Sequence, residues 1–318
     1  MSVLHGVSSV TPGGEAELWA CTLDLLWRSG PRPSGDYQRQ VHAAFLRWLQ
    51  AVNPSLTDEL HHPNALRPFT VAVLGENGRQ PGPTVALRCT VLDRRVFHAF
   101  VQRCLPGGGS PIWRLHDAEF ALTRVSFVPD SSGWTGWATF AGLLAQAGAV
   151  TGITVEFATP TAFSMGDGVQ RAATNGVATI AVALGERAGD NGGASETAGV
   201  ISPSRDDRKR IELFPQPRWV WESWARKWNA FAPPPLRIDG RAVADVAGRG
   251  LVADYELRTV TLDYGRFPQK GFTGWVRYEF RATTERGLWQ LNALADFACY
   301  GGTGYKTAQG MGQTRRRP

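Results

Sequence analysis

Two short apolar runs split by a polar turn set the terms for the N-terminal half. RPFTVAVLG (67–75) and PTVALRCTVLD (83–93) each have the length of one strand, and the ENGRQPG turn between them joins them. What flanks this pair narrows the topology. AELWACTLDLLWR (16–28) is mainly apolar, ends at a Ser-Gly-Pro turn and reads as a strand. After a loop at 31–36, Asp36 is the expected N-cap of a helix running to about Gln50. DRRVFHAFVQRC (93–104) fits a short helix, and residues 112–128 alternate enough to be strand again. The resulting order is β-α-β-β-α-β.

The second half repeats that order without visible identity to the first. TGITVEFATP (151–160) reads as a strand, 217–230 as a helix, 251–263 and 271–281 as two strands, and 286–300 as a second helix. The expected fold class is α+β, with two tandem ferredoxin-like (RRM-like, βαββαβ) domains. The boundary falls near Gln146–Val150, giving domains 1–148 and 149–318. A polar, Gly-rich stretch at 185–210 predicts a flexible insertion in the second domain.

The 318 residues are 43% hydrophobic, ample for packed cores, and carry a formal net charge of +6. That balance favours polyanionic partners such as nucleic acid, but only weakly by itself. No basic region followed by an apolar run opens the chain, and no stretch reaches the length of a membrane span, so no membrane partner is expected. Cys21, Cys89, Cys104 and Cys299 are scattered, with no Cys-x-x-Cys pair and no histidine at zinc-ligand spacing. They read as reduced thiols of a cytoplasmic protein.

Chemistry concentrates in two places. His42 lies in YQRQVHAAFLRWL (37–49). Helical projection puts Val41, Phe45, Trp48, Leu49 and Val52 on one face, with His42 about 75° from the centre of that stripe. It is thus at the edge of the buried face, with Arg39 on its side of the helix and Arg47 pointing away. A boundary histidine with a local hydrogen bond fits this pattern; so does a general acid or base, since imidazole titrates near neutrality. His61 and His62 read as a solvated loop before Pro63, while His98, His116 and His5 have no local company.

The second place is YGGTGYKTAQGMGQTRRRP (300–318), with Gly301, Gly302, Gly304, Gly310 and Gly312, the cations Lys306, Arg315, Arg316 and Arg317, and no acidic residue. Glycines let backbone N–H groups approach phosphate, and the cations add counterion release. A Gly-rich turn before a last strand is the plainer account. Walker and dinucleotide patterns both fail, because Thr307 stands where a third glycine would be and Lys306 follows Tyr305. Trp221, Trp224 and Trp228 share a helical face and read as core rather than as a base-stacking platform.

In combination and order, these motifs resemble the CRISPR-associated repeat-processing endoribonucleases of the RAMP superfamily. LADFACYGGTGYKTAQGMGQTRRR (294–317) is similar to the family's glycine-rich signature, and GFTGWVRYEF (271–280) to the strand before it. TPTAF (159–163) and PQPRWVWESWARKWNAFAP (215–233) resemble the middle of its second domain; RPFTVAVL (67–74) and LRCTVLDRRVFHAF (87–100) resemble its first.

The resemblance implies two ferredoxin-like domains and cleavage of precursor CRISPR RNA within each repeat, without metal. It implies a catalytic histidine in or near the first helix, where this chain has His42. Some members add a tyrosine and a lysine. Here Tyr37 lies upstream, but the first half contains no lysine, so arginine must substitute if a cation is needed. The expected assignments are His42 as acid or base, Arg39 with Arg28 or Arg32 for charge on the phosphorane, and Tyr37 to position a phosphate oxygen. The Gly-rich loop with Lys306 and Arg315 would hold the RNA backbone. The implied partner is CRISPR repeat RNA, as precursor and as mature product. An effector complex and a homodimer are compatible with it. Two rivals are a non-catalytic RNA-binding subunit of such a complex and a phosphometabolite enzyme built on the Gly-rich loop.

Overall fold

The computed structural model describes residues 15–31, 37–62, 66–75, 83–104, 111–130, 132–165, 210–262, 264, 268–281 and 284–317. Packing divides the chain into one compact unit of Met1–Ala162 with Leu213–Pro318, and another of Phe163–Glu212.

The larger unit contains two antiparallel sheets. The first holds β1 (Leu18–Ser29), β2 (Phe69–Val73), β3 (Thr84–Val91), β4 (Ile112–Leu115), β5 (Ala118–Ser126) and β6 (Gly136–Ala138). Its order is β2-β3-β1-β5-β4, with β6 beside the start of β1. In sequence these strands are joined by α1 (Gln38–Gln50), α2 (Pro54–His61) and α3 (Arg94–Cys104), and α4 (Phe140–Gln146) follows β6. The second sheet holds β7 (Gly152–Thr161), β10 (Leu251–Leu262), β11 (Gln269–Glu279) and β12 (Thr314–Arg316), in the order β10-β11-β7-β12. It carries α5 (Pro217–Phe231), α6 (Gly240–Ala247) and α7 (Glu285–Gly301). β1 lies between β3 and β5, and β7 between β11 and β12, so both halves are ferredoxin-like. In the smaller unit the described residues form one antiparallel pair, β8 (Phe163–Met165) with β9 (Arg210–Glu212). Of the expected insertion, 185–209 lies outside the described residues.

Local chemistry explains the elements and the departures from expectation. The α1 stripe buries Val41, Phe45, Trp48 and Leu49 as projected. Tyr37, not Asp36, is the residue preceding that helix; Asp36 lies outside the described residues. Residues 112–128 form a hairpin rather than one strand, because His116 takes a φ of +54° and reverses the chain. His61 ends a helix instead of lying in a loop. Asn53 caps that helix, its side chain accepting from the Leu56 amide at 3.0 Å, and Pro54 occupies the first turn, where a missing N–H costs nothing. Trp221, Trp224 and Trp228 are fully buried, as a core stripe should be.

A buried polar chain ties the two sheets together. Gln313 Nε2 donates to Thr70 Oγ1 at 2.9 Å, the Thr70 and Thr90 hydroxyls are 2.7 Å apart, and Thr90 Oγ1 donates to the Tyr300 carbonyl at 2.7 Å. Arg88, with no exposed surface, donates to Gln313 Oε1, to the Trp134 carbonyl at 2.9 Å and to the Cys299 carbonyl at 2.7 Å. Its guanidinium also lies 4.9 Å from the centre of the Trp134 ring. A buried cation is tolerable only when its donors are occupied, and here backbone and amide oxygens do that work.

Candidate active site

α1 presents His42 half-buried at the edge of the first core, and the C-terminal segment comes to meet it. His42 Nδ1 lies 2.7 Å from the Ala308 carbonyl oxygen. A carbonyl only accepts, so Nδ1 carries the proton and the neutral ring keeps its lone pair on Nε2. Nε2 makes no hydrogen bond among the described residues. The ring stacks on Phe69, with centres 6.0 Å apart. Burial pushes its pKa below the usual 6.5; the Ala308 bond opposes that, and the charges of Arg67 and His61 add to it.

Two further cations, Arg39 and Lys306, meet around Tyr264. Arg39 is exposed and donates to the Tyr264 carbonyl at 3.4 Å. Lys306 places Nζ 5.2 Å from the Tyr264 ring centre and 5.6 Å from that of Tyr305. Partial burial lowers the Lys306 pKa, and the neighbouring Arg39 charge lowers it further. Lys306 is also one of two non-glycine residues with positive φ among the described residues, at +55°. A side chain held in that conformation costs roughly 1–3 kcal/mol and clusters at functional sites.

The other expected residues are placed differently. Tyr37 is 4% exposed and packs in the first core, so its phenol has little surface to offer a phosphate. Arg28 is exposed at the end of β1, and Arg32 lies outside the described residues. Arg315 is held by Glu156, with Nε and Nη2 at 2.9 and 2.8 Å from Oε2, and it stacks 4.8 Å from Trp134. Its charge is balanced by Glu156 on the second sheet.

Three glycine amides of the Gly-rich segment are bonded within the protein. Gly302 N donates to Ala298 O at 2.9 Å, Gly304 N to Ser223 Oγ at 2.8 Å and Gly312 N to Pro160 O at 3.0 Å. Gly301 is buried in the last turn of α7. The glycines are there for close approach. At Gly304 (φ +79°) a Cβ would lie 2.2 Å from the Ala162 carbonyl, and at Gly310 (φ +92°) 2.2 Å from Gln38 Oε1. The segment's offerings to a ligand are the side chains of Tyr305, Lys306 and Gln309, none of them fully buried.

His61, Arg67 and Tyr264 were missed as members of this cluster. The Asn-Pro pair that starts α2 was a usable signal for His61; no local pattern marks Tyr264. Among the described residues no group of three or more His, Cys, Asp or Glu could hold a metal ion, and no helix is long and apolar enough to cross a membrane.

An imidazole fixed at one nitrogen and open at the other, with the charge of Arg67 acting on it, can move a proton beside a phosphodiester. On tandem ferredoxin-like halves, that chemistry defines the class as an endoribonuclease. Comparison with known proteins agrees. The family model for CRISPR-associated endoribonuclease Cas6 matches residues 155–314, half of the chain. Among solved structures, the Cas6 (TTHB231) product complex is 24% identical over 94% of this chain and 100% of its own, with a TM-score of 0.69. The Cas6 (TTHA0078) product complex is 22% identical over 95% and 99%, with a TM-score of 0.67. Thermus thermophilus Cas6 (TTHB231) is 23% identical over 96% and 100%, with a TM-score of 0.64. These likenesses establish the shared fold. No curated protein sequence matches. The chain belongs to the family of CRISPR-associated endoribonucleases Cas6.

Proposed function

We propose that this protein cleaves precursor CRISPR RNA within its repeats, in the cytoplasm, leaving 2′,3′-cyclic phosphate and 5′-hydroxyl ends on mature guide RNA. The supporting observation is the His42–Ala308 bond, which leaves Nε2 as the ring's reactive nitrogen. Nε2 takes the 2′-OH proton as that oxygen attacks phosphorus. The O2′–P bond forms, and the P–O5′ bond breaks from a pentacovalent phosphorane. Arg39 and Lys306 meet the charge that develops on its oxygens, and the imidazolium returns the proton to the departing 5′-oxygen. Holding the nucleotide in line supplies much of the remaining rate. The two Cas6 product complexes among the structural neighbours support RNA as the ligand.

In this reading 1–148 and 149–318 are the two domains, the active site draws on both, and no metal or cofactor takes part. Retained product would pass to an effector complex, and a homodimer is the further association to test by sedimentation. Incubation with the cognate repeat RNA in EDTA, followed by end-group identification, tests the reaction. Cyclic phosphate and 5′-hydroxyl ends are expected, and a 2′-deoxy substitution at the scissile nucleotide should block cleavage while sparing binding. Normal cleavage of the deoxy substrate would sink the mechanism.

A further inference from the structure

Lys227 has no part in the chemistry above, yet it is 6% exposed on α5. Its Nζ donates to the Gly301 carbonyl at 2.6 Å and to Thr307 Oγ1 at 2.7 Å. Those two acceptors bracket the Gly-rich segment. Gly301 closes α7, and Thr307 opens the single 3-10 turn Thr307–Gln309, whose middle residue, Ala308, carries the carbonyl bound to His42. Neighbours on α5 grip the same segment. Ser223 Oγ accepts from the Gly304 amide at 2.8 Å, and Trp224 Nε1 donates to Thr303 Oγ1 at 2.7 Å. Ser223 and Lys227 are four residues apart and so share a helical face.

No carboxylate pairs with Lys227 among the described residues. Burial holds its pKa down to about 7, with the charge of Arg226 adding to the effect. The neutral amine keeps two N–H groups, and two acceptors are present, so the clamp holds in either protonation state. A methionine of similar length would fill the space without desolvating an amine. What distinguishes lysine here is the pair of bonds to the loop.

We infer that Lys227 is a positioning residue: by clamping Thr307 to Gly301 it fixes the turn that sets the Ala308 carbonyl against His42 Nδ1. Its consequence for cleavage rests on the reading of His42 as the catalytic imidazole. Its consequence for the titration of His42 does not. The charged groups acting on His42 are Arg67 and His61, which both lower its pKa, whereas the Ala308 carbonyl raises it. Loosening the turn weakens the one raising influence, so the His42 pKa falls further.

The test is an NMR titration of the His42 imidazole in wild type, Lys227→Met and Thr307→Val, with His42→Ala to assign the resonance. Single-turnover cleavage and repeat-RNA binding are measured alongside. A fall of roughly 0.5 in the His42 pKa is expected in Lys227→Met, and a smaller one in Thr307→Val. The His42-dependent limb of the pH–rate profile should move down with it, cleavage should slow about 10-fold or more through misplacement, and RNA affinity should stay within about threefold. A purely structural lysine would lower thermal stability and rate without moving the titration, and that result overturns the inference. If Lys227→Met does not fold, Thr307→Val decides: it retains Lys227 and the bond to Gly301, and an unmoved His42 titration overturns the clamp. A moved titration with an unmoved pH–rate limb leaves the clamp standing and removes His42 from the chemistry.

Discussion

The imidazole of His42 and the backbone carbonyl of Ala308 are 2.7 Å apart, although 266 residues separate them along the chain. The tautomer of a first-half histidine is thereby set by a turn in the second half. His42→Ala should lower single-turnover cleavage about 10²–10⁴-fold, with repeat-RNA affinity nearly unchanged in a filter-binding assay. Cleavage at the wild-type rate would remove His42 from the mechanism.

The pH dependence has a definite sign. His42 is held below 6.5 by burial, helped by Arg67 and His61 and opposed by Ala308. A base must be neutral, so the acidic limb of the rate profile should have its midpoint below pH 6.5. His61→Gln removes one positive neighbour, raises the His42 pKa and moves that limb upward. A depressed folded pKa also contributes stability that is present above the unfolded value of 6.5 and lost as pH falls through the lower folded value. Acid unfolding of His42→Ala should lack that component, as circular dichroism across pH 4–7 (roughly the window implied by the unfolded histidine value) would reveal.

Lys306 permits an unusually clean removal of charge. At φ +55° glycine is at ease, so Lys306→Gly should fold at least as well as wild type in urea titrations. Its cleavage rate should drop about 10²-fold if the ammonium meets charge on the phosphorane. Combined with Arg39→Ala the losses should not add, because both cations act on one group. Simple additivity would argue for separate roles.

Gly310→Ala should destabilise the protein by about 1–3 kcal/mol from its positive φ alone. The new Cβ would also meet Gln38 Oε1, which accepts from the Val73 amide at 2.9 Å. Chemical denaturation measures the loss, and wild-type stability would show that the loop relaxes freely.

Arg88→Met should cost roughly 3 kcal/mol or more, because Gln313 Oε1 and the carbonyls of Trp134 and Cys299 lose a donor in a dry interior. Equilibrium unfolding in urea reads this directly, and an unaltered midpoint would contradict it.

Much of the fold was legible because it is written in short periods. The 67–75 and 83–93 runs, the α1 stripe around Phe45 and the tryptophan stripe of α5 all declare themselves within a dozen residues. The hairpin at 112–126 escaped because its reversal rests on a left-handed His116, which no turn signature announces. His42 and Arg39 were legible for the same local reason as α1. Lys306 was singled out, but as part of a phosphate cradle, because glycine content does not reveal whether amides face outward or are bonded within. Its company with Arg39, and the burial of Lys227 behind it, follow from long-range packing that no window of sequence contains.

The buried chain from Gln313 through Thr70 and Thr90 to the Tyr300 carbonyl has a direction, since each hydroxyl that accepts must donate onward. A directed relay fits only if all its members match. The two halves should therefore not be freely interchangeable with those of relatives. A chimera joining the first half of one family member to the second half of another should misassemble unless the residues at Thr70, Arg88 and Thr90 travel together with their counterpart at Gln313. Recombination within this gene should thus be constrained by a handful of buried hydroxyl and amide groups.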